Sequence, residues 1–241
     1  MQPYILLSEE TTGPFIFSCE HASNKLPSDV YTSLEDDHFL QTHWGWDIGA
    51  ESITRHLIQA TASQGILSTY SRLWIDLNRS RDRTDLIRLE TEGHLLSFNQ
   101  NLSSEDHAHR LQQIYEPFHA AYHTLVQKRC REEEPVVLIS IHSFTPVWNG
   151  TVRTMDVGVL FDAYEELGIK LARLLKEEGL FVEINAPYTG RGGLMYSVED
   201  KGKRHRCPHL ELEINQALIC TPERQTFIAA KIQRALVQLT P

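Results

Sequence analysis

The chain has 241 residues, 41% of them hydrophobic and 23% charged, with a formal net charge of -9. That size and composition suit a globular protein with one sizeable core, and predict a single domain over residues 1–241. The acidic balance argues against a non-specific grip on nucleic acid or anionic membrane, and leaves a small molecule as the expected partner.

No apolar run approaches the ~18 residues of a membrane span, and Met1 to Glu10 lack a basic segment followed by an apolar one, so a cytoplasmic protein is expected. Cys19, Cys130, Cys207 and Cys220 are scattered without a C-x-x-C pair, as in a chain of reduced thiols. Apolar runs of strand length recur at Pro14 to Cys19, Gly65 to Ser71, Leu73 to Leu77, Val136 to Ile141, Val157 to Phe161, Leu180 to Ile184 and Leu210 to Ile214. Helical periods lie between many of them. Ile48 to Ala60 sets Ile53, Leu57 and Ala60 on one stripe, and Glu105 to Arg131 spans a helix bent near Pro117. Tyr164 to Glu178 stops at Gly179, and Thr221-Pro222-Glu223 opens a last helix with a cap and a proline at its first position. This alternation predicts an α/β fold: a mixed, largely parallel central sheet with helices on both faces. Val136 to Ile141, apolar on both faces apart from Ser140, suits a central strand. Ala186 to Pro208, with Gly190, Gly192, Gly193 and Gly202, reads as an irregular lid or binding loop.

Two strand candidates deliver histidines at their ends, the first in Glu20-His21-Ala22-Ser23-Asn24 and the central one in His142-Ser143. Open α/β sheets bind ligands beyond the carboxyl ends of their strands, and imidazole is the commonest metal ligand. The pair points to a catalytic metal, which takes three protein ligands and keeps one open position. His43-Trp44-Gly45-Trp46-Asp47 offers the third: Asp47 first, with His43 as the alternative or as a partner that orients a ligand. Asp47 also stands where a helix N-cap stands.

Alternation puts His209, Glu211, Glu213 and Asn215 on one strand face, either solvated on an edge strand or turned toward a site. In the second case Glu213, nearest the strand's end, is the expected general base and then proton donor. Arginines gather at Arg72, Arg79, Arg81 and Arg83, and basic residues again at Arg191, Lys201, Lys203, Arg204 and Arg206. Arg79 and Arg191 are the candidates for binding substrate carboxylates, while Arg81, Asp82, Arg83 and Asp85 also suit a solvated ion-pair network. Tyr188 or Tyr196 offers a hydrogen bond to an oxyanion. Cys19 lies in an apolar run where a thiol is inert, and His205, Cys207 and His209 lack a nearby fourth ligand.

Ser18-Cys19-Glu20-His21-Ala22-Ser23-Asn24, His43 to Ala50, Asp76-Leu77-Asn78-Arg79, His142-Ser143 and Glu211-Leu212-Glu213-Ile214-Asn215 together resemble the N-formylglutamate amidohydrolase family. The resemblance implies a zinc-carboxypeptidase/phosphorylase-like fold and cleavage of a short N-acyl group, formyl first, from an acidic amino acid such as N-formyl-L-glutamate, a step of histidine degradation. It assigns Zn2+ to His21, Asp47 and His142, acid-base work to Glu213, and a substrate carboxylate to Asn78 and Arg79. The chain departs from the carboxypeptidase pattern after His21, where Ala22-Ser23-Asn24 carries no carboxylate, so that ligand comes from farther along. Hydrolysis of another N-acyl amino acid or peptide-like amide, and carboxylate binding without turnover, are the rival expectations. Glu20, which alternation points away from His21, is expected to support the site without ligating.

Overall fold

The computed structural model describes residues 2–131 and 135–239. In chain order it forms β1 (Tyr4–Leu7), β2 (Phe15–Cys19), α1 (Leu34–Gln41), α2 (Ala50–Ala60), β3 (Gln64–Ser68) and a hairpin of β4 (Glu90–Thr91) with β5 (His94–Leu95). Helices α3 (Ser104–Arg110) and α4 (Glu116–Arg131) follow, then β6 (Val137–Phe144), a hairpin of β7 (Val147–Trp148) with β8 (Thr151–Val152), and β9 (Val157–Leu160). The chain continues through α5 (Glu165–Glu177), β10 (Val182–Ile184), α6 (Tyr196–His205), β11 (His209–Asn215) and α7 (Pro222–Leu239). No described helix is long and apolar enough to cross a membrane.

Seven strands make one sheet in the order β1-β3-β2-β6-β11-β9-β10. Strands β3, β2, β6 and β11 run parallel, β1 is antiparallel to β3, and the β9–β10 pair runs against β11. Phe15, Phe17, Ile139, Ile141, Leu210 and Leu212 pack on one side against α2, α5 and α7, while Ile16, Leu138 and Leu160 pack on the other against α4 and α6. The mixed, largely parallel sheet with helices on both faces is therefore as expected, and β6 is its middle strand. Each fully buried leucine or isoleucine in these layers contributes about 1.5–3 kcal/mol.

Three expectations need correcting. Leu73 to Leu77 is not a strand, because its amides are used locally: Trp74 N–H donates to Ser71 at 3.0 Å and Asp76 N–H to Leu86 at 2.9 Å. Leu73, Ile75 and Leu77 are buried all the same, which is why the run looks like a strand. Strand β3 ends at Ser68, since Ser71 N–H turns to the Lys25 carbonyl at 2.8 Å. Ala186 to Pro208 is not irregular throughout, for it contains α6. The irregularity expected near Pro117 takes the form of a π-helical segment, Leu111–Tyr115, just ahead of the residue that has no N–H to donate.

The face carrying Ile16 and Leu138 turns polar toward the carboxyl edge of the parallel strands. Register sets Ser18 beside Ser140 and Ser140 beside Glu211, and one row farther sets His142 beside Glu213. All five side chains are buried. Because β11 lies between β6 and β9, its polar face is not that of a solvated edge strand.

Candidate active site

His21 stands two residues past the end of β2, His142 within β6, and Asp47 just ahead of α2. The N-cap of α2 is Gly49 at φ 84, where a side chain would meet the Ile219 carbonyl, so Asp47 is not the cap and its carboxylate is free for other partners. Asp47 Oδ2 lies 2.8 Å from His142 Nδ1 and 3.4 Å from His21 Nδ1, and accepts the Ser143 N–H at 3.2 Å. Ligand atoms of the three residues fall within 4.8 Å of one another, so His21, Asp47 and His142 form a buried group able to hold a metal ion. His43 lines the same cavity but stands outside this group, its ring against Trp44 and Trp148.

The far ring nitrogens are held as well. His21 Nε2 meets Asp76 Oδ1 at 2.7 Å; His142 Nε2 meets Glu20 at 3.2 Å and Glu211 at 3.4 Å. Such contacts fix ring orientation and tautomer in metal-binding histidines. Glu20 thus supports the site, as expected; Ser140 also donates to it at 2.6 Å. Burial pushes its carboxyl up, but the His142 hydrogen bond and charge and the Ser140 hydroxyl outweigh this and hold it at about 2. Burial likewise opposes ionisation of Asp47, yet the charge of His21 and the hydrogen bond to His142 hold it well below the usual carboxylate range.

Glu211 and Glu213 behave differently. Burial dominates for both, lifting Glu211 to about 7 and Glu213 well above the carboxylate range. Glu213 Oε2 is buried without a hydrogen-bond partner, and the residue lines the cavity. Glu20, Asp47, Asp76, Glu211 and Glu213 are all buried in this one region, and Arg72 is the guanidinium set among them, 2.8 Å from Asp76 and 3.6 Å from Asp47. Ionising all five carboxylates here is costly unless a cation offsets their charge, and burial without one is what lifts Glu211 and Glu213. A divalent ion fits both that charge and the His–Asp–His donor set.

The cavity holds about 310 Å3, and its wall adds Trp44, Trp148 and Tyr188 on one hand and Arg72, Arg79 and Arg88 on the other. Arg79 is thereby brought to the site, whereas Arg191 is exposed and outside its lining. Asn78 also lines it, but its amide is engaged: Oδ1 accepts the Ser197 N–H at 3.0 Å and Nδ2 donates to the Leu194 carbonyl at 3.0 Å. Of the two tyrosines, Tyr188 lines the cavity and Tyr196 a separate one beside His119. His205, Cys207 and His209 diverge to His123, Cys130 and Asp162, and Cys19 is buried, its thiol pushed up by that burial. Asp76 and Glu211 as supports, and Arg72 and Arg88 as cavity cations, emerge only from the structure. Asp76 sits inside the motif Asp76-Leu77-Asn78-Arg79, and Glu211 on the same strand face as Glu213; Arg88 carries no local signal.

The fold and this cavity define an α/β protein with a candidate metal centre at the carboxyl edge of its parallel strands. Residues 13–220 match the family model of N-formylglutamate amidohydrolase, and the chain belongs to that amidohydrolase family. The structure of gene product Atu2144 from Agrobacterium tumefaciens is similar, with a TM-score of 0.92 and 24% identity over 99% of this chain and 95% of that one. The N-formylglutamate amidohydrolase from Ralstonia eutropha JMP134 is similar with a TM-score of 0.74 and 20% identity, over 99% of this chain and 96% of that one. Both likenesses are of fold. No curated protein matches the sequence.

Proposed function

We propose that the chain is a cytoplasmic, zinc-dependent amidohydrolase that removes a short N-acyl group, formyl first, from an acidic amino acid such as N-formyl-L-glutamate. The observation that carries this reading is the convergence of His21, His142 and Asp47 in the cavity that Glu213 also lines. His21, His142 and Asp47 would hold the ion, which when bound supplies a Lewis acid for the amide carbonyl and acidifies water toward a pKa of about 7.

The chain's own residues do the rest. Glu213 takes a proton from the attacking water on its carboxylate and gives it to the amide nitrogen as the C–N bond breaks, releasing formate and the free amino acid. Asp76, Glu20 and Glu211 keep the two imidazoles from turning. Arg79 orients a substrate carboxylate, and Asn78 holds the Arg79 segment against Leu194 and Ser197. Tyr188 donates a hydrogen bond to the developing oxyanion.

The test is release of formate and primary amine from N-formyl-L-glutamate by the zinc-replete chain, beside a panel of longer N-acyl amino acids and muramyl peptides. Metal-dependent turnover fastest on N-formyl-L-glutamate is expected. Activity on muramyl peptides alone, or hydrolysis that survives both His21→Ala and His142→Ala, contradicts the proposal.

A further inference from the structure

Three arginines line the cavity, and they differ in what already holds them. Arg72 is bound by Asp76 at 2.8 Å. Arg79 donates from Nε to Asp85 at 3.2 Å and from Nη1 to the Asn78 carbonyl at 2.9 Å. Arg88 has no carboxylate within 4.0 Å among the described residues. Its guanidinium lies over the Trp44 ring instead, 5.1 Å from the centroid.

The position of Arg88 is built from below. Its carbonyl accepts from Asn99 Nδ2 at 2.6 Å, and the same fully buried amide reaches the Leu73 carbonyl at 2.8 Å. Arg110, itself buried, donates to Asn99 Oδ1 at 2.5 Å. This bracket ties the Arg88 segment to the one that continues into Asp76, Asn78 and Arg79. Trp44 is pinned in turn, its Nε1–H donating to Glu92 at 2.9 Å.

Arg88 is half-buried, and burial together with the like charges of Arg72 and Arg79 outweighs the more distant support of Asp76 and Asp85 for its cation. A half-buried cation with no carboxylate in direct contact is under-satisfied until an anion reaches it. A guanidinium held over an indole by its cation–π contact spends no N–H on the ring, and its donors suit a carboxylate taken by two parallel hydrogen bonds.

We infer that Arg88 receives the second carboxylate of a dicarboxylic substrate while Arg79 takes the first, and so sets the preference for acidic over neutral N-acyl amino acids. The inference rests on the proposed use of this cavity as the substrate site. It assigns specificity to a residue that takes no part in bond breaking.

The test needs binding only. Affinities of the zinc-loaded protein for glutarate and for butyrate, which differ by one terminal carboxylate, are measured by calorimetry for the wild type, Arg88→Met and Arg88→Gln. The wild type is expected to prefer glutarate by about tenfold or more, the worth of a charge-assisted hydrogen-bonded pair, and a folded variant to bring the ratio to within about threefold. Melting curves identify the folded variants, and Arg88→Gln keeps a polar group at the half-buried position should Arg88→Met unfold. A wild type without preference, or a folded variant that keeps it, overturns the inference. A protein with the Arg88-dependent ratio that releases no formate refutes the proposed reaction and leaves this assignment standing; one that hydrolyses with an unchanged ratio does the reverse.

Discussion

Asp76 Oδ1 lies 2.7 Å from His21 Nε2 with both residues buried, and the other oxygen of the same carboxylate accepts from Arg72 at 2.8 Å. The carboxylate is itself fixed by the Asn78 N–H, which donates to Oδ1 at 2.9 Å. His21 is thereby left with Nδ1 toward Asp47, the orientation a metal ligand needs. Asp76→Asn is expected to weaken zinc affinity by about 10- to 100-fold, measured by competition with a chelator of known affinity. Unchanged affinity contradicts the orienting role.

Glu213→Gln retains the size and hydrogen-bonding capacity of the side chain and removes its proton chemistry. Loss of about 10²–10⁴ in kcat is expected with zinc stoichiometry unaltered, measured on one preparation by formate release and by elemental analysis. Lost zinc would move Glu213 among the ligands, and intact turnover would move the acid-base work to Glu211.

Gly158 pairs with Glu213 across β9 and β11, and a side chain there would lie 1.9 Å from the Ala186 carbonyl. Backbone has no rotamer with which to give way. Gly158→Ala is expected to cost about 1–3 kcal/mol in chemical denaturation and to lower kcat, because the displaced segment leads to Tyr188. A variant of native stability would show that the 186–188 segment is free to shift.

Asp36 is buried and accepts from Ser33 N–H at 2.8 Å, Ser97 N–H at 3.1 Å and Ser97 Oγ at 2.5 Å, with His94 Nε2 at 3.0 Å. Burial pushes its carboxyl up, but these hydrogen bonds outweigh it and hold the folded-state value below the unfolded one. The stabilisation is therefore complete above the unfolded carboxyl pKa of about 4 and is lost as pH falls toward the folded value. Asp36→Asn is expected to cost about 2–4 kcal/mol at pH 7 and progressively less below pH ~4, read from denaturation midpoints across pH. A difference that does not vary with pH contradicts the ionic role.

Much of this arrangement is legible in the sequence for definite reasons. His21 and His142 each follow an apolar run, which singles them out even though β6 continues past His142 to Phe144, and strict alternation in His209 to Asn215 fixes the face on which Glu213 lies. What escapes is what depends on packing. Leu73 to Leu77 has the composition of a strand but serves as a buried turn, and nothing local distinguishes the two. Helix α1 buries only Asp36 and Leu40, so it offers no apolar stripe to detect. The choice of Asp47 over His43 depends on a backbone turn at Gly49, and Arg88 reaches the cavity only through Asn99 and Arg110. Arg191, picked for its basic neighbourhood, lies on the exposed side of a loop whose direction composition does not encode.

The central claim is that His21, Asp47 and His142 hold one catalytic zinc ion. Anomalous diffraction from crystals of the zinc-loaded protein, recorded above and below the zinc edge, tests it most directly. The account predicts a single strong peak within about 2.0–2.3 Å of His21 Nδ1, His142 Nδ1 and an Asp47 carboxylate oxygen. No peak at this group, or a zinc ion bound elsewhere with these three side chains still closed on one another, contradicts it.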